Sequence, residues 1–154
     1  MQTDWKGLYP PLTTQFGDDE SLDLDGTARH LETLIQAGIH GVILLGTLGE
    51  NTSLEYDEKL EVLRQMKQVV RGRIPVLAGV TENTTGTACR FARAAEQIGI
   101  DGLMLLPAMI YKSDERETVA HYRTVAKSTG LPIMVYNNPV SYGVDITGDV
   151  SRTG

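Results

Sequence analysis

Two nine-residue stretches of this chain follow one pattern: Ala37-Gly38-Ile39-His40-Gly41-Val42-Ile43-Leu44-Leu45 and Ile98-Gly99-Ile100-Asp101-Gly102-Leu103-Met104-Leu105-Leu106. Each puts a glycine where a helix ends, a polar residue in the link, and then an all-apolar run. A strand apolar at every position has no side to give to water, so it belongs in a parallel sheet covered by helices. The chain is therefore expected to be α/β, built from repeated strand–helix units. Such units close into a (β/α)8 barrel or lie in a doubly wound sheet.

The remaining elements follow from the same reading. Leu8 to Thr14 is a first strand, although Pro10 and Pro11 restrict its pairing. An acidic turn, Asp18 to Asp25, leads into a helix with Leu24, Ala28, Leu31, Leu34 and Ile35 on one face. Ser21, Asp23, Asp25, Gly26 and Glu32 imitate a calcium loop but place serine at its first ligand position, so helix capping is the expected role. Gly41–Leu45 is the second strand, and Leu60, Leu63, Met66, Lys67 and Val70 mark a helix over 56–70. Ile74–Val80 is the third strand, 81–86 a polar loop and 88–98 a helix closed by Gly99. Gly102–Leu106 is the fourth strand. Ser113 opens a helix with Val119, Tyr122, Val125 and Ala126 inward, and Pro132–Tyr136 is the fifth strand.

Composition narrows the class. The 154 residues are 41% hydrophobic and 22% charged, as in a globular protein with a real core. A net charge of −6 without a basic stripe excludes nucleic acid and anionic membrane as expected partners. No apolar run approaches the roughly 20 residues of a bilayer span, and Met1-Gln2-Thr3-Asp4-Trp5-Lys6 has no export pattern, so a cytoplasmic protein is expected. The one cysteine, Cys89, sits among Ala88, Phe91 and Ala92 as a small packing residue. No His/Cys/Asp/Glu cluster has metal spacing, and no Ser-His-Asp arrangement is suggested, so neither metal nor cofactor is expected.

In either architecture, ligands collect at the C-terminal ends of the strands. There this chain puts Thr13 and Thr14, Gly46-Thr47-Leu48-Gly49-Glu50, Gly79-Val80-Thr81-Glu82, Pro107-Ala108-Met109 and Tyr136-Asn137-Asn138-Pro139. Gly46 and Gly49 permit positive φ and close approach of a ligand. Thr47 offers a hydroxyl, and the turn offers amides at a helix entrance, where the dipole favours an anion. The turn reads equally as an ordinary strand–helix loop. Tyr136, a phenol at the end of an apolar strand, is either held by a backbone partner or used for proton transfer.

These residues resemble the dihydrodipicolinate synthase/N-acetylneuraminate lyase family of Schiff-base lyases and synthases. The marks are Gly46-Thr47-Leu48-Gly49-Glu50 and Val135-Tyr136-Asn137-Asn138-Pro139, in order and at this separation, with Leu106-Pro107-Ala108-Met109 between. The resemblance implies a (β/α)8 barrel in which a lysine amine condenses with pyruvate or a related 2-oxo acid. The iminium is an electron sink for making or breaking the adjacent carbon–carbon bond. It implies that Gly46, Thr47, Leu48 and Gly49 hold the carboxylate, and that Thr47 and Tyr136 are catalytic. Tyr136 would move protons beside the iminium charge. A homo-oligomer and no cofactor are implied as well.

The chain departs from the family pattern at several points. The family's Schiff-base lysine lies roughly 28 residues beyond the tyrosine, and Lys6, Lys59, Lys67, Lys112 and Lys127 are not at expected strand ends in the mouth. Ser141 stands where dihydrodipicolinate synthases carry arginine, Leu48 replaces a second threonine, and the usual tyrosine after the fourth strand gives way near Met109, with Tyr111 two positions on. A lyase, dehydratase or deaminase acting on a 2-oxo sugar acid or cyclic imino acid is expected, with dihydrodipicolinate synthesis as the alternative. A barrel needs about 250 residues, so 1–154 is expected to be the N-terminal part of one domain, inactive by itself. The rival readings are a non-catalytic 2-oxo-acid-binding or scaffold half-barrel and a flavodoxin-like sheet with helices on both faces.

Overall fold

A computed structural model describes residues 3–108 and 110–146. Four strands, β1 (Val42–Leu44), β2 (Val76–Val80), β3 (Gly102–Leu105) and β4 (Ile133–Val135), pair in parallel in the order β1-β2-β3-β4. The register runs Ile43 to Leu77, Gly79 to Met104 and Met104 to Met134. Between and before them run α1 (Leu24–Gln36), α2 (Tyr56–Val70), α3 (Thr85–Ile98) and α4 (Glu115–Lys127), and a short α5 (Pro139–Tyr142) follows β4.

Side-chain alternation sorts the two sheet faces. Val42, Leu44, Val76, Ala78, Val80, Leu103 and Leu105 join the large core with helix residues such as Leu31, Leu63, Met66, Phe91, Ala92 and Val125. Ile43, Leu77, Met104 and Leu106 face the other way, packed by Trp5, Tyr9, Met134, Tyr136 and Tyr142, with no residue of α1 to α4. Sequential strand order puts consecutive right-handed crossovers on one side of the sheet. This is the arc of a barrel wall with an inner face. A doubly wound sheet would reverse its strand order and carry helices on both faces, so the flavodoxin-like reading fails.

The expected first strand shrinks to a single parallel bridge, Pro11 to Ile43. Pro10 and Pro11 have no N–H to donate, and the ladder here is two bonds, Ile43 N–H to Pro10 C=O (3.0 Å) and Leu12 N–H to Ile43 C=O (2.9 Å). The second strand stops at Leu44 because Leu45 turns left-handed, at φ 55°. Helix starts are set by caps. Asp23 Oδ1 accepts from Gly26 N–H at 2.7 Å, while Ser21 Oγ bonds to Asp19 instead. Thr84 caps α3 through Thr87 N–H, which begins that helix inside the expected polar loop. Asp114 and Glu117 form a reciprocal capping box, so α4 starts after Ser113. On α4, Thr118, His121, Tyr122 and Val125 face inward, and Ala126 is exposed. Cys89 is buried and free, against the Thr124 carbonyl at 3.7 Å.

Candidate active site

The loop after β1 is where the backbone is under most constraint. Two turns of 3₁₀-helix, Thr47–Gly49 and Asn51–Ser53, separate β1 from α2. The expected entrance of a long helix is thus absent at Gly46–Gly49. What faces the mouth is a single turn whose first bond runs from Gly49 N–H to Gly46 C=O at 2.9 Å. The Thr47 and Leu48 amides precede that bond, and no carbonyl of the turn takes them.

Nor are the glycines the left-handed residues. Gly46 has φ −74° and ψ −172°; positive φ falls on Leu45 (55°) and Glu50 (54°), which flank the turn. For side-chain-bearing residues that conformation costs about 1–2 kcal/mol each. Only Gly49 is tight for space: a Cβ there would sit 3.0 Å from the Leu12 carbonyl, whereas one on Gly46 would meet Met104 Cε at an ordinary 3.5 Å. Two buried polar side chains hold the loop, Thr14 from outside it and Asn51 from within. Thr14 Oγ1 donates to Gly49 C=O at 2.7 Å, and Asn51 Nδ2 donates to Gly79 C=O at 3.2 Å. Thr14 therefore braces the turn, whereas Thr13 is exposed and bonded to Gln15.

Tyr136 follows β4 on the inner face. Its N–H still bonds Leu105 C=O at 3.0 Å, which carries the strand register one residue further. Asn138 Nδ2 donates to the Tyr136 hydroxyl at 3.4 Å. Tyr142, at the end of α5, stands with its ring edge-on to Tyr136 at 5.9 Å and its hydroxyl 3.2 Å from Thr47 Oγ1. Sequence reasoning did not single out Tyr142. The available signal was Pro139 after an asparagine, which starts a helix at its first position, with Gly143 ending it at φ 66°.

Gly46, Thr47 and Leu48 line one cavity with Tyr136, floored by Pro11, Ile43, Met104 and Leu106; its volume is about 190 Å³. Gly49 is buried behind the turn. The structure thus brings Thr47 and Tyr136 to one apolar-floored space at the strand ends. It is smaller than the roughly 300–1,000 Å³ of sites for drug-sized ligands, and so suits a ligand of a few heavy atoms.

The five lysines lie elsewhere. Lys6 pairs with Asp4, Lys67 with Asp101, and Lys59 with Glu82 at 2.9 Å, both side chains 7% exposed. Lys112 borders a separate cavity of about 400 Å³ with Ser113, Glu115 and Asp145, and Lys127 is in the last turn of α4. Tyr111 is 60% exposed and donates to Glu117 Oε1 at 3.0 Å. That bond, reinforced by the carboxylate charge, holds its phenol above the ordinary value. Met109 lies outside the described residues. Ser141 is exposed, with its N–H on Asn138 Oδ1 at 3.2 Å. Among the described residues, no helix is long and apolar enough to cross a membrane.

Comparison with known proteins bears on the family and the fold. The 4-hydroxy-tetrahydrodipicolinate synthase of Methanospirillum hungatei JF-1 is 35% identical over 148 residues, 95% of this chain and 50% of that protein. YagE, a prophage protein of the dihydrodipicolinic acid synthase family from E. coli K12 solved in complex with pyruvate, superposes with a TM-score of 0.89. It is 33% identical, over 94% of this chain and 49% of that one. CdNal from Clostridium difficile, solved in complex with mannosamine, superposes with a TM-score of 0.91 at 27% identity, over 97% of this chain and 52% of that one. This chain spans about half the length of each. The model of the Dihydrodipicolinate synthetase family matches residues 4–152. With a match of that extent and a sheet that forms part of a (β/α)8 barrel wall, the chain belongs to the dihydrodipicolinate synthetase family.

Proposed function

We propose that this chain is the N-terminal part of a Schiff-base lyase acting on pyruvate or a related 2-oxo acid. The observation that carries the reading is the shared cavity of Thr47, Leu48 and Tyr136 at the strand ends. The Thr47 hydroxyl and the Thr47 and Leu48 amides supply donors for a carboxylate, and Gly46 lets the ligand approach the backbone. Tyr136 gives its proton to the hydroxyl that leaves as water when the amine–keto adduct collapses to an iminium. The iminium charge then favours the phenolate until it regains a proton. Ser141 offers no cation for a second carboxylate, which favours a lyase, dehydratase or deaminase over a dihydrodipicolinate synthase.

None of the five lysines borders this cavity, and on this reading the amine is supplied from outside residues 1–154. The same observation favours a second reading, in which the chain binds a 2-oxo acid without turnover. The whole protein is expected to assemble from copies of itself in the cytoplasm. Leu48, Ile110, Tyr111 and Val140 are at least 60% exposed near the strand ends, and association would cover them.

Borohydride trapping with pyruvate, read by intact mass, tests both readings. The whole protein gains one reduced pyruvyl adduct, and the 154-residue chain gains none. A whole protein that binds pyruvate without an adduct supports the binding reading. A whole protein that neither binds nor is trapped sinks both.

A further inference from the structure

We propose that Tyr142 is a positioning residue that aims the Thr47 hydroxyl at the ligand. This rests on the reading that Thr47 contacts the 2-oxo acid.

A threonine hydroxyl is a rotor with three staggered positions and a single proton. Thr47 is exposed and stands on a 3₁₀ turn, where its rotamer is not set by core packing. Its side-chain contact is the Tyr142 hydroxyl at 3.2 Å, in which either oxygen can donate. Tyr142 is the better-held partner. Its ring lies edge-on to Tyr136, and its helix is fixed at the start by Asn138 and Pro139 and at the end by Gly143.

The proton count gives the direction. Asn138 Nδ2 can only donate, so the Tyr136 oxygen accepts from it and keeps its own proton for the cavity. If Tyr142 donates to Thr47, the same holds there: Thr47 Oγ1 accepts from behind and presents its proton to the ligand. Two hydroxyls, each receiving a bond from the α5 segment, then point two protons into one space. Reversed, Thr47 would give its only proton to Tyr142 and meet a carboxylate with lone pairs. That encounter is repulsive, so the anion itself selects the productive direction.

Tyr142 comes from the same chain as Thr47, 95 residues away in sequence, so the pair forms without any contribution from a second subunit. Tyr111, the other tyrosine near the mouth, is engaged with Glu117.

The test uses the whole protein with Tyr142→Phe, Thr47→Val and the double variant. Tyr142→Phe keeps the ring on Tyr136 and removes only the oxygen. It should cut the rate of adduct formation with pyruvate about tenfold, as loss of one net hydrogen bond would. In the Thr47→Val background the same change should have less than a twofold effect, because the group it acts through is gone. If the whole protein binds pyruvate without forming an adduct, the same cycle is read on the dissociation constant. A Tyr142→Phe variant at the wild-type rate, or effects that simply multiply in the double variant, overturns the proposal while leaving the Schiff-base reading standing. A wild type that neither reacts with nor binds pyruvate overturns both. An unchanged melting temperature in Tyr142→Phe, with the rate effect confined to the background that retains Thr47, separates aiming from general loosening of the site.

Discussion

Gly79 lies against the Leu45 carbonyl so closely that a methyl group on Gly79 would come within 2.3 Å of that oxygen and 2.9 Å of Gly46 Cα. The inner face of β2 is therefore the seat on which the left-handed Leu45 and the following turn rest. The contact is backbone on backbone, and neither side can rotate away. Gly79→Ala must push the Leu45–Gly46 peptide outward and break the bond from Asn51 to the Gly79 carbonyl. Overpacking of this kind costs about 1–3 kcal/mol. Chemical denaturation of Gly79→Ala should give a loss in that range, and on the proposed function the whole protein should bind pyruvate more weakly, because the displaced Leu45–Gly46 peptide leads directly into Thr47.

Lys59 and Glu82 form an ion pair at 2.9 Å in which both side chains are almost wholly buried, between α2 and the loop after β2. Removing one partner leaves the other charged in a poor solvent, a change that costs about 3–5 kcal/mol in buried pairs. Lys59→Met alone and Glu82→Leu alone should each destabilise on that scale. The double replacement should recover most of the loss, since two apolar side chains leave no charge stranded. Urea midpoints of the three variants check this. A double variant no better than the worse single would mean that the pair also organises Asn51 and Thr81, whose Oδ1 and Oγ1 are buried without a protein partner.

His121 ties α4 to α3, its Nδ1 3.0 Å from Thr85 Oγ1 and its ring edge-on to Tyr122. Burial lowers its pKa below the ordinary value, and a hydrogen bond to the Leu106 backbone only partly offsets this. The folded state therefore prefers the neutral ring. Between the folded value and about 6.5 the unfolded chain binds more protons, so stability falls as pH falls through that window and levels off below the folded value. The contribution cannot exceed about 1.4 kcal/mol per pH unit. Denaturation at pH 8, 6.5 and 5 should show this slope, and His121→Gln should flatten it. An unchanged slope in the variant would place the proton uptake elsewhere.

Much of the frame was legible because it rests on periodicities that tertiary structure did not override. The expected strands Gly41–Leu45, Gly102–Leu106 and Pro132–Tyr136 are found to within a residue at each end, and Ile74–Val80 starts two residues late at Val76. The paired stretches at 37–45 and 98–106 each run from a helix end, into β1 and β3 respectively. Thr47, Leu48, Gly46 and Tyr136 could be named together because strand ends meet in any parallel sheet. The misses have physical causes. Pro10 and Pro11 limited the first strand to a bridge. Gly46 and Gly49 suggested positive φ, yet the left-handed residues are Leu45 and Glu50, since conformational permission does not say where the chain must turn. His121 and Thr118 face inward because each has a hydroxyl partner there, which a count of apolar residues does not register. Tyr142 reaches Thr47 only through the fold of a four-residue helix, which has no periodicity to read.

Asn138 serves two neighbours with its two side-chain atoms, and conservative changes can separate the services. Its Oδ1 accepts from Ser141 N–H at 3.2 Å and starts α5, while its Nδ2 donates to the Tyr136 hydroxyl at 3.4 Å. Asn138→Ala removes both. Loss of the cap should cost about 1 kcal/mol and let α5 fray, taking Tyr142 away from Thr47. Asn138→Asp keeps an acceptor for Ser141 and so should keep the melting temperature near wild type. It also replaces a donor to Tyr136 with a carboxylate, which accepts a hydrogen bond from the phenol. On the proposed chemistry, Tyr136 would then turn its proton from the ligand to the introduced carboxylate. Adduct formation in the whole protein should fall by about a hundredfold, the lower range for loss of a positioned proton donor. Melting curves and borohydride trapping on the two variants give the comparison. Equal trapping rates for wild type and Asn138→Asp would remove Tyr136 from the proton-transfer role.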